Sequence, residues 1–424
     1  MNLLFYLLVF LLVLIVSSTT NKLLPFLPMP LIQILLGIGL GLCLPNNQYH
    51  LDTELFLALV IGPLLFREAQ EADITSILKH WRIVLYLIFP VIFISALSMG
   101  GLAHVLWASL PLAACVAVGA ALGPTDLVAF ASLSERFTFP KRVSNILKGE
   151  GLLNDASGLV AFRMALIAWT TGTFSLTQAG TSLAISIVGG FAVGFITALI
   201  NRFLHTFLLS VRATDIASEL LLDLSLPLLT FFIAEEIHVS GIIAVVVAGI
   251  LKASRFKKIN LLEAQVDTVT ETVWHTITFM LNGSVFVILG MELEMIAEPI
   301  LKSAFYNNVL LLVTIFLLTF LLFAIRFLMI YGFYAFRIKK LQKSLHKYVK
   351  DMLLLTFSGV KGTVSIATIL LIPSNLEQEY PLLLFLVAGV TLVSFLTGLL
   401  VLPHLSEEQE PSKDHLMHIA ILND

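Results

Sequence analysis

The sequence predicts an all-α polytopic membrane protein with about thirteen transmembrane helices in two inverted repeats, each interrupted by a discontinuous helix. Three observations lead there: the composition, apolar stretches whose ends alternate in basic charge, and two breaks that carry charge in mid-membrane. Of the 424 residues, 58% are hydrophobic and 12% charged, against about a quarter charged in a soluble domain. Mean hydropathy is +0.97. Too little polar surface remains to wet a soluble body of this size. With 25 basic against 28 acidic residues there is also no excess with which to hold phosphates. A cytosolic enzyme, a nucleic-acid binder and a disordered scaffold are thereby excluded.

A spanning helix needs about 20 mostly apolar residues. Residues 3–18 meet this without a basic n-region or an A-x-A site, so they read as a retained first span rather than a signal peptide. The stretches 28–45, a short 54–67, 83–106, 110–133, 143–171 and 178–204 come after it. Next are 217–236 and 239–254, which could also be read as one broken segment, then 270–291, 304–335, 351–373 and 381–402. Basic residues test this division, because cytoplasmic loops are enriched in Lys and Arg. With the N-terminus outside, 20 of the 25 fall on the cytoplasmic side, from Lys22, Arg67, Lys79 and Arg82 through the 252–258 and 337–350 groups to Lys413. Only Lys302 falls outside, and Lys148, Arg163, Arg326 and Lys361 lie within spans. The C-terminus is therefore expected to be cytoplasmic.

Residues 337–350 place apolar positions at helical spacing among basic ones, which suits a helix on an anionic cytoplasmic lipid surface or a solvated linker. Residues 406–424 form a short polar tail, with no appended regulatory domain expected. Cys43 and Cys115 lack metal-type spacing and read as small core residues. His275 reads as a hydrogen-bonded core histidine, with pH sensing the alternative. No nucleotide loop or dependable metal-ligand cluster is legible, so no cofactor is expected.

A charge at the bilayer centre costs about 2.5–3.5 kcal/mol or more, so each one kept there is a functional candidate. The candidates are Asp126, Glu150, Asp155, Arg163, Arg326 and Lys361. Asp126 ends Gly123-Pro124-Thr125-Asp126, where proline removes a backbone donor and an unwound stretch is expected. Seven stretches later, Gly359-Val360-Lys361-Gly362-Thr363 interrupts the twelfth in the same way. An odd offset inverts one half relative to the other, and paired broken helices in inverted repeats point to a transporter's midplane site. In the sixth stretch Glu150, Asn154 and Ser157 share one helical face, with Asp155 turned about 100° away. A buried carboxylate beside a cation can bind either a proton or a metal cation, which makes one site serve an exchange.

With these residues in place, the sequence resembles the cation:proton antiporter-1 family of sodium/proton exchangers. The resemblance is carried by Pro63-Leu64-Leu65-Phe66, the Pro-Thr-Asp break, Gly149 to Asp155, the run Val239 to Gly249, Leu281-Asn282-Gly283 with Leu289-Gly290, Arg326, and Gly-Val-Lys-Gly at 359–362. It implies the sodium/proton antiporter fold over residues 1–405, in which the two discontinuous helices cross. A core bundle would include spans near 110–171 and 351–402, and a dimerisation part those near 1–67 and 217–291. It also implies that Asp155 carries the proton or the monovalent cation, that Asn154 marks electroneutral exchange, and that Thr125 and Asp126 contribute from the break, with the Thr125 carbonyl a ligand. Glu150 and Arg326 match a structural ion pair, and Lys361 stands at the second break in place of a common arginine. Three further departures are Leu127 for proline, Gly151 for a serine whose hydroxyl helps hold the ion, and Arg67-Glu68 where an acid follows Phe66 directly. The last two would each take an oxygen from the site, so sodium is expected with lithium or potassium as alternatives. Arg163 matches no family role.

The expectation is thus a secondary transporter rather than an enzyme: a homodimer exchanging monovalent cations for protons in a bacterial inner (plasma) membrane. Two other readings stand beside it. Asp126 and Asp155 could share a proton as an intramembrane aspartyl hydrolase, though neither lies in a Tyr-Asp or Gly-Xaa-Gly-Asp setting. The same broken helices could line a passive cation channel.

Overall fold

The computed structural model describes residues 3–24, 27, 29–43, 53–72, 74–126, 130, 137–172, 176–211, 215–253, 261–302, 306–341, 348–369, 371–372 and 380–408. Leu127, residues 254–260, residues 342–347 of the 337–350 basic segment, and the tail beyond Glu408 lie outside these residues.

The chain is a bundle of helices. In order they are α1 (Leu3–Leu23), α2 (Met29–Cys43), α3 (Thr53–Phe56), α4 (Gly62–Glu71), α5 (Ile74–Lys79), α6 (Trp81–Tyr86), α7 (Ile92–Leu106) and α8 (Leu112–Ala121). After them come α9 (Lys141–Thr171), α10 (Leu176–Ser210), α11 (Ile216–Glu236), α12 (Gly241–Ala253), α13 (Leu261–Lys302) and α14 (Asn308–Leu341). The last are α15 (Val349–Phe357), α16 (Thr363–Ile369) and α17 (Tyr380–Leu405). Each of the thirteen apolar stretches contains helix, and among the described residues six helices are long and apolar enough on their own to cross a membrane.

Burial runs opposite to that of a soluble protein. Large apolar side chains such as Val188, Phe203, Phe320 and Leu400 are exposed on the outside, while Asp126, Glu150, Asp155, Arg326 and Lys361 are buried. That pattern suits lipid as solvent, where backbone polar groups are satisfied within helices and charge is kept inside.

Two π-turns interrupt otherwise continuous helices, Leu57–Ile61 joining α3 to α4 and Leu87–Val91 joining α6 to α7. Each lies beside a proline, Pro63 or Pro90, whose missing N–H cannot complete the ordinary ladder. Between α11 and α12 the chain turns at His238, with φ 58°, and the Val239 N–H closes on the Ala234 carbonyl at 2.9 Å. This left-handed stop is the usual helix C-terminal signal. It separates the stretches 217–236 and 239–254.

The bundle packs through small residues. A Cβ on Gly290 of α13 would overlap the Ile34 carbonyl of α2, and one on Gly37 would come 3.0 Å from the Gly290 Cα. These helices touch backbone to backbone, which membrane helices use where no hydrophobic gain drives association. Likewise a Cβ on Gly249 of α12 would lie 2.6 Å from the Phe66 carbonyl of α4.

The all-α expectation holds with one small addition, and three other expectations differ from the structure. A two-residue antiparallel ladder, β1 (Phe137–Thr138) with β2 (Glu407–Glu408), ties the start of the tail to the segment before α9, so the fold is helical but for this clip. Cys43, expected in the core, ends α2 and is exposed, whereas Cys115 is buried. His275 is exposed rather than a core histidine, one step round the helix from the buried Trp274. Residues 337–341 continue α14 rather than opening a separate surface helix.

Candidate ion site at the crossing of two broken helices

The first break comes after α8. Leu122 caps the helix, Gly123 to Asp126 are non-helical, and helix is seen again at Phe130. The second lies between α15 and α16, where residues 359–362 are non-helical. The two unwound stretches cross and bond directly, the Asp126 N–H donating to the Val360 carbonyl at 3.0 Å.

Each break leaves helix ends unsatisfied, carbonyls at one end and N–H groups at the other. Lys361 answers one set: its Nζ donates to the Gly123 carbonyl at 2.8 Å and to the Pro124 carbonyl at 2.7 Å. A cation placed on a helix C-terminus also meets the negative end of its dipole. Lys361 is held in turn by its own N–H, which donates to Ser394 Oγ of α17 at 3.1 Å. The Asp126 carboxylate lies against Gly362, just before α16, where any Cβ would overlap it. Opposite charges therefore sit at the two breaks, each against the backbone of the other.

α9 supplies the remaining polar groups. Asn154 Nδ2 donates to the Thr125 carbonyl at 2.9 Å and to Thr125 Oγ1 at 2.6 Å. Thr125 Oγ1 donates to Glu150 Oε1 at 3.1 Å. Both Glu150 oxygens accept from Arg326 of α14, at 2.6 and 2.8 Å, and Arg326 Nε donates to the Leu355 carbonyl at 2.9 Å. The guanidinium lies across Gly359, where a Cβ would come 2.6 Å from its central carbon. A bidentate pair this deeply buried is geometrically specific, and removing one partner would strand a charge. Ser157 Oγ donates to the Ile88 carbonyl at 2.9 Å, in the second π-turn.

Asp155 stands apart from this network. It is buried, and its Oδ1 accepts no hydrogen bond among the described residues. Asn154 Oδ1 is also buried and unbonded. Asp155 lies within electrostatic reach of Asp126 and Lys361. The two open oxygens are those an incoming cation or proton could use. The sequence candidates Thr125, Asp126, Glu150, Asn154, Asp155, Arg326 and Lys361 are thus gathered at one place, whereas Arg163 lies elsewhere, with its Nη2 3.8 Å from Glu235 Oε2 on α11.

The expectation for Arg67-Glu68 needs correcting. Arg67 turns to Glu71, Nε to Oε1 2.7 Å, while Glu68 lies within electrostatic reach of both Asp126 and Asp155 and has a buried, unbonded Oε2. The acid is not lost from the neighbourhood.

Sequence reading also missed a second buried polar group. Lys252 Nζ pairs with Asp223 Oδ1 at 2.5 Å, Trp274 Nε1 donates to Asp223 Oδ2 at 2.6 Å, and Trp274 packs on Phe66 with centroids 5.9 Å apart. The acid inside the stretch 217–236 was the available signal.

Charge buried at the crossing of two broken helices is the arrangement from which secondary transporters build a midplane site. The transmembrane sodium/hydrogen exchanger family matches residues 7–406, and the chain belongs to that family. It is 35% identical over 93% of its length to a sodium, potassium, lithium and rubidium/H(+) antiporter of Bacillus pumilus, and 36% identical over 96% to the one of Bacillus subtilis. The chain spans 60% and 62% of the lengths of these two relatives. Its fold is similar to that of the sodium proton antiporter MjNhaP1 from Methanocaldococcus jannaschii, with TM-score 0.67 and 17% identity over 95% of this chain and 97% of the other.

Proposed function

We propose that this chain exchanges a monovalent cation for protons, electroneutrally, by competition at Asp155. The observation that carries this is the pair of buried, unbonded oxygens, Asp155 Oδ1 and Asn154 Oδ1, beside the crossed breaks. A bare carboxylate moved through a low-dielectric barrier is costly. Asp155 neutralised by a proton or by a monovalent cation avoids that cost, so either loaded form can cross and the empty form cannot. Asn154 brings a ligand oxygen without a charge, and Lys361 keeps its own on fixed carbonyls. With no net charge moved, the membrane potential, worth about 2.3 kcal/mol per charge per 100 mV, drops out of the driving force. Thr125, bonded to Asn154, and Asp126 and Glu68, whose charges reach Asp155, would be the further ligands.

Family membership and the names of the Bacillus relatives support cation:proton exchange, with sodium first and lithium or potassium as alternatives. Alternating access would come from one bundle, with α8, α9 and α15 to α17, moving against a part containing α1 to α4 and α11 to α13. That second part would form a homodimer interface. The distribution of basic residues supports an outside N-terminus, a cytoplasmic C-terminus and contact with anionic lipid on the cytoplasmic side of a bacterial inner membrane.

The test is the purified protein in liposomes carrying a pH dye, given sodium, lithium and potassium pulses with the potential clamped or free. Wild type is expected to show cation-dependent proton movement indifferent to the clamp, and Asp155→Asn none. Transport that persists in Asp155→Asn would overturn the assignment, and unitary currents would point to a channel.

A further inference from the structure

Glu292 of α13 is a buried carboxylate that the crossing site does not use. It is 6% exposed, and its Oε2 is shielded and accepts no hydrogen bond among the described residues. Its place on the helix is set by α13's packing. At 100° per residue, Gly283, Val287, Gly290 and Glu294 share one face, and this face lies on α1 and α2: Gly283 against Leu14 and Gln33, Gly290 against Gly37, Glu294 over Gly41. Glu292 is half a turn from that face, on the side of α13 that turns away from α2. In this part of its length α13 also packs on α17, with Phe286 and Phe395 ring centroids 6.0 Å apart.

This contact sets the level of the carboxylate. Phe395 is next to Ser394, whose Oγ holds the Lys361 N–H, so Phe286 lies level with the crossing. Six residues further on at 1.5 Å each, Glu292 lies about 9 Å above it towards the Lys302 end. Tyr380, which opens α17, is within electrostatic reach. α2 and α16 bring no acidic or basic residue, and Glu235 at the same end of α11 is engaged with Arg163 and the Gly241 N–H. A second observation points the same way. The offset of seven stretches that relates the two breaks also relates the third stretch to the tenth, and each is followed at once by a buried, unbonded acid, Glu68 or Glu292.

We infer that Glu292 is a second binding station, taking a proton or a small monovalent cation on its way between the Lys302 side and Asp155. This rests on the exchange reading and deepens it: Glu68 would attend the site from one side of the membrane and Glu292 from the other. A carboxylate with one unmet oxygen, on the side of α13 away from α2 and within electrostatic reach of Tyr380, offers a hard, single-charge ligand. The rise of about 9 Å along α13 is the least separation the two carboxylates can have, so at an effective dielectric of about 20 each alters the other's occupancy by at most on the order of tenfold.

The experiment uses oriented proteoliposomes and measures half-saturating cation concentration and pH profile from each side, for wild type, Glu292→Gln and Glu292→Asp. Glu292→Gln is expected to weaken apparent cation affinity from the Lys302 side alone, by up to the order of tenfold, with Glu292→Asp restoring most of it. An equal shift from both sides, or none, would overturn the inference. Infrared difference spectra taken across a pH titration of Asp155→Asn, with and without Glu292→Gln, read the carboxyl directly and need no transport. A protonated-carboxyl band lost in Glu292→Gln supports the station even if wild type exchanges nothing, and an unchanged spectrum overturns it even if exchange is robust.

Discussion

Asn154 and Asp155 are neighbours in sequence with opposite engagements, one bonded twice to Thr125 and the other left open. Asn154→Asp would set a carboxylate against the Thr125 carbonyl and beside Asp155, and that second charge would have to be neutralised or carried. The expected outcome is transport that responds to a clamped potential, read in the same dye assay. Glu150 asks for the opposite kind of test. Glu150→Gln leaves the Arg326 guanidinium buried without its counter-charge, and such losses cost about 3–5 kcal/mol. The joint replacement Glu150→Met with Arg326→Met removes both charges and should recover much of that stability, since buried pairs are often matched by apolar side chains of similar volume. Thermal aggregation midpoints in detergent would rank wild type and double variant close together and Glu150→Gln well below. A double variant as unstable as the single would show that the pair stabilises through more than mutual charge.

At the scale of elements, the glycines decide how near the helices come. Gly290→Ala would drive a methyl group into the Ile34 carbonyl and wedge α2 from α13. Overpacking of this kind typically costs about 1–3 kcal/mol, and a lowered melting midpoint in detergent would register it. Gly39→Ala on the same α2 helix meets no atom within 4 Å and serves as the control, expected to leave the midpoint unchanged. Equal effects from the two substitutions would argue that helix propensity rather than contact governs the result. The π-turns act at this scale too, since each shifts the helix after it by one residue.

For the whole molecule the informative contact is Arg163 with Glu235, which joins α9, the helix that carries Asp155, to α11. Both side chains are partly exposed, so the pair adds at most about 1 kcal/mol to stability. If α9 moves against α11 during transport, the pair breaks or re-forms in every cycle. Arg163→Gln is therefore expected to leave the melting midpoint within error while changing the maximal exchange rate. An unaltered rate with an unaltered midpoint would mean that α9 and α11 keep their relation throughout, and would count against a bundle moving past α11.

Apolar length, basic flanks and the two breaks are local properties of the chain, so the sequence by itself determined that this is a helical membrane protein, roughly where its helices run, and that Asp126 and Lys361 lie on unwound segments. Family resemblance could be read from the same local motifs. Which charges meet is not local. Arg326 finds Glu150 176 residues away, and Lys361 finds the Gly123 carbonyl 238 residues away, because packing of α9, α14 and α17 around the crossing brings them together. Which of Arg67 and Glu68 faces the aspartates depends on how α4 is turned within the bundle, so it was legible only in three dimensions. The Asp223–Lys252–Trp274 group and Glu292 were hidden for a related reason. An acid near the end of an apolar stretch reads equally well as a solvated loop residue, and only the neighbours that cover it decide that it is buried.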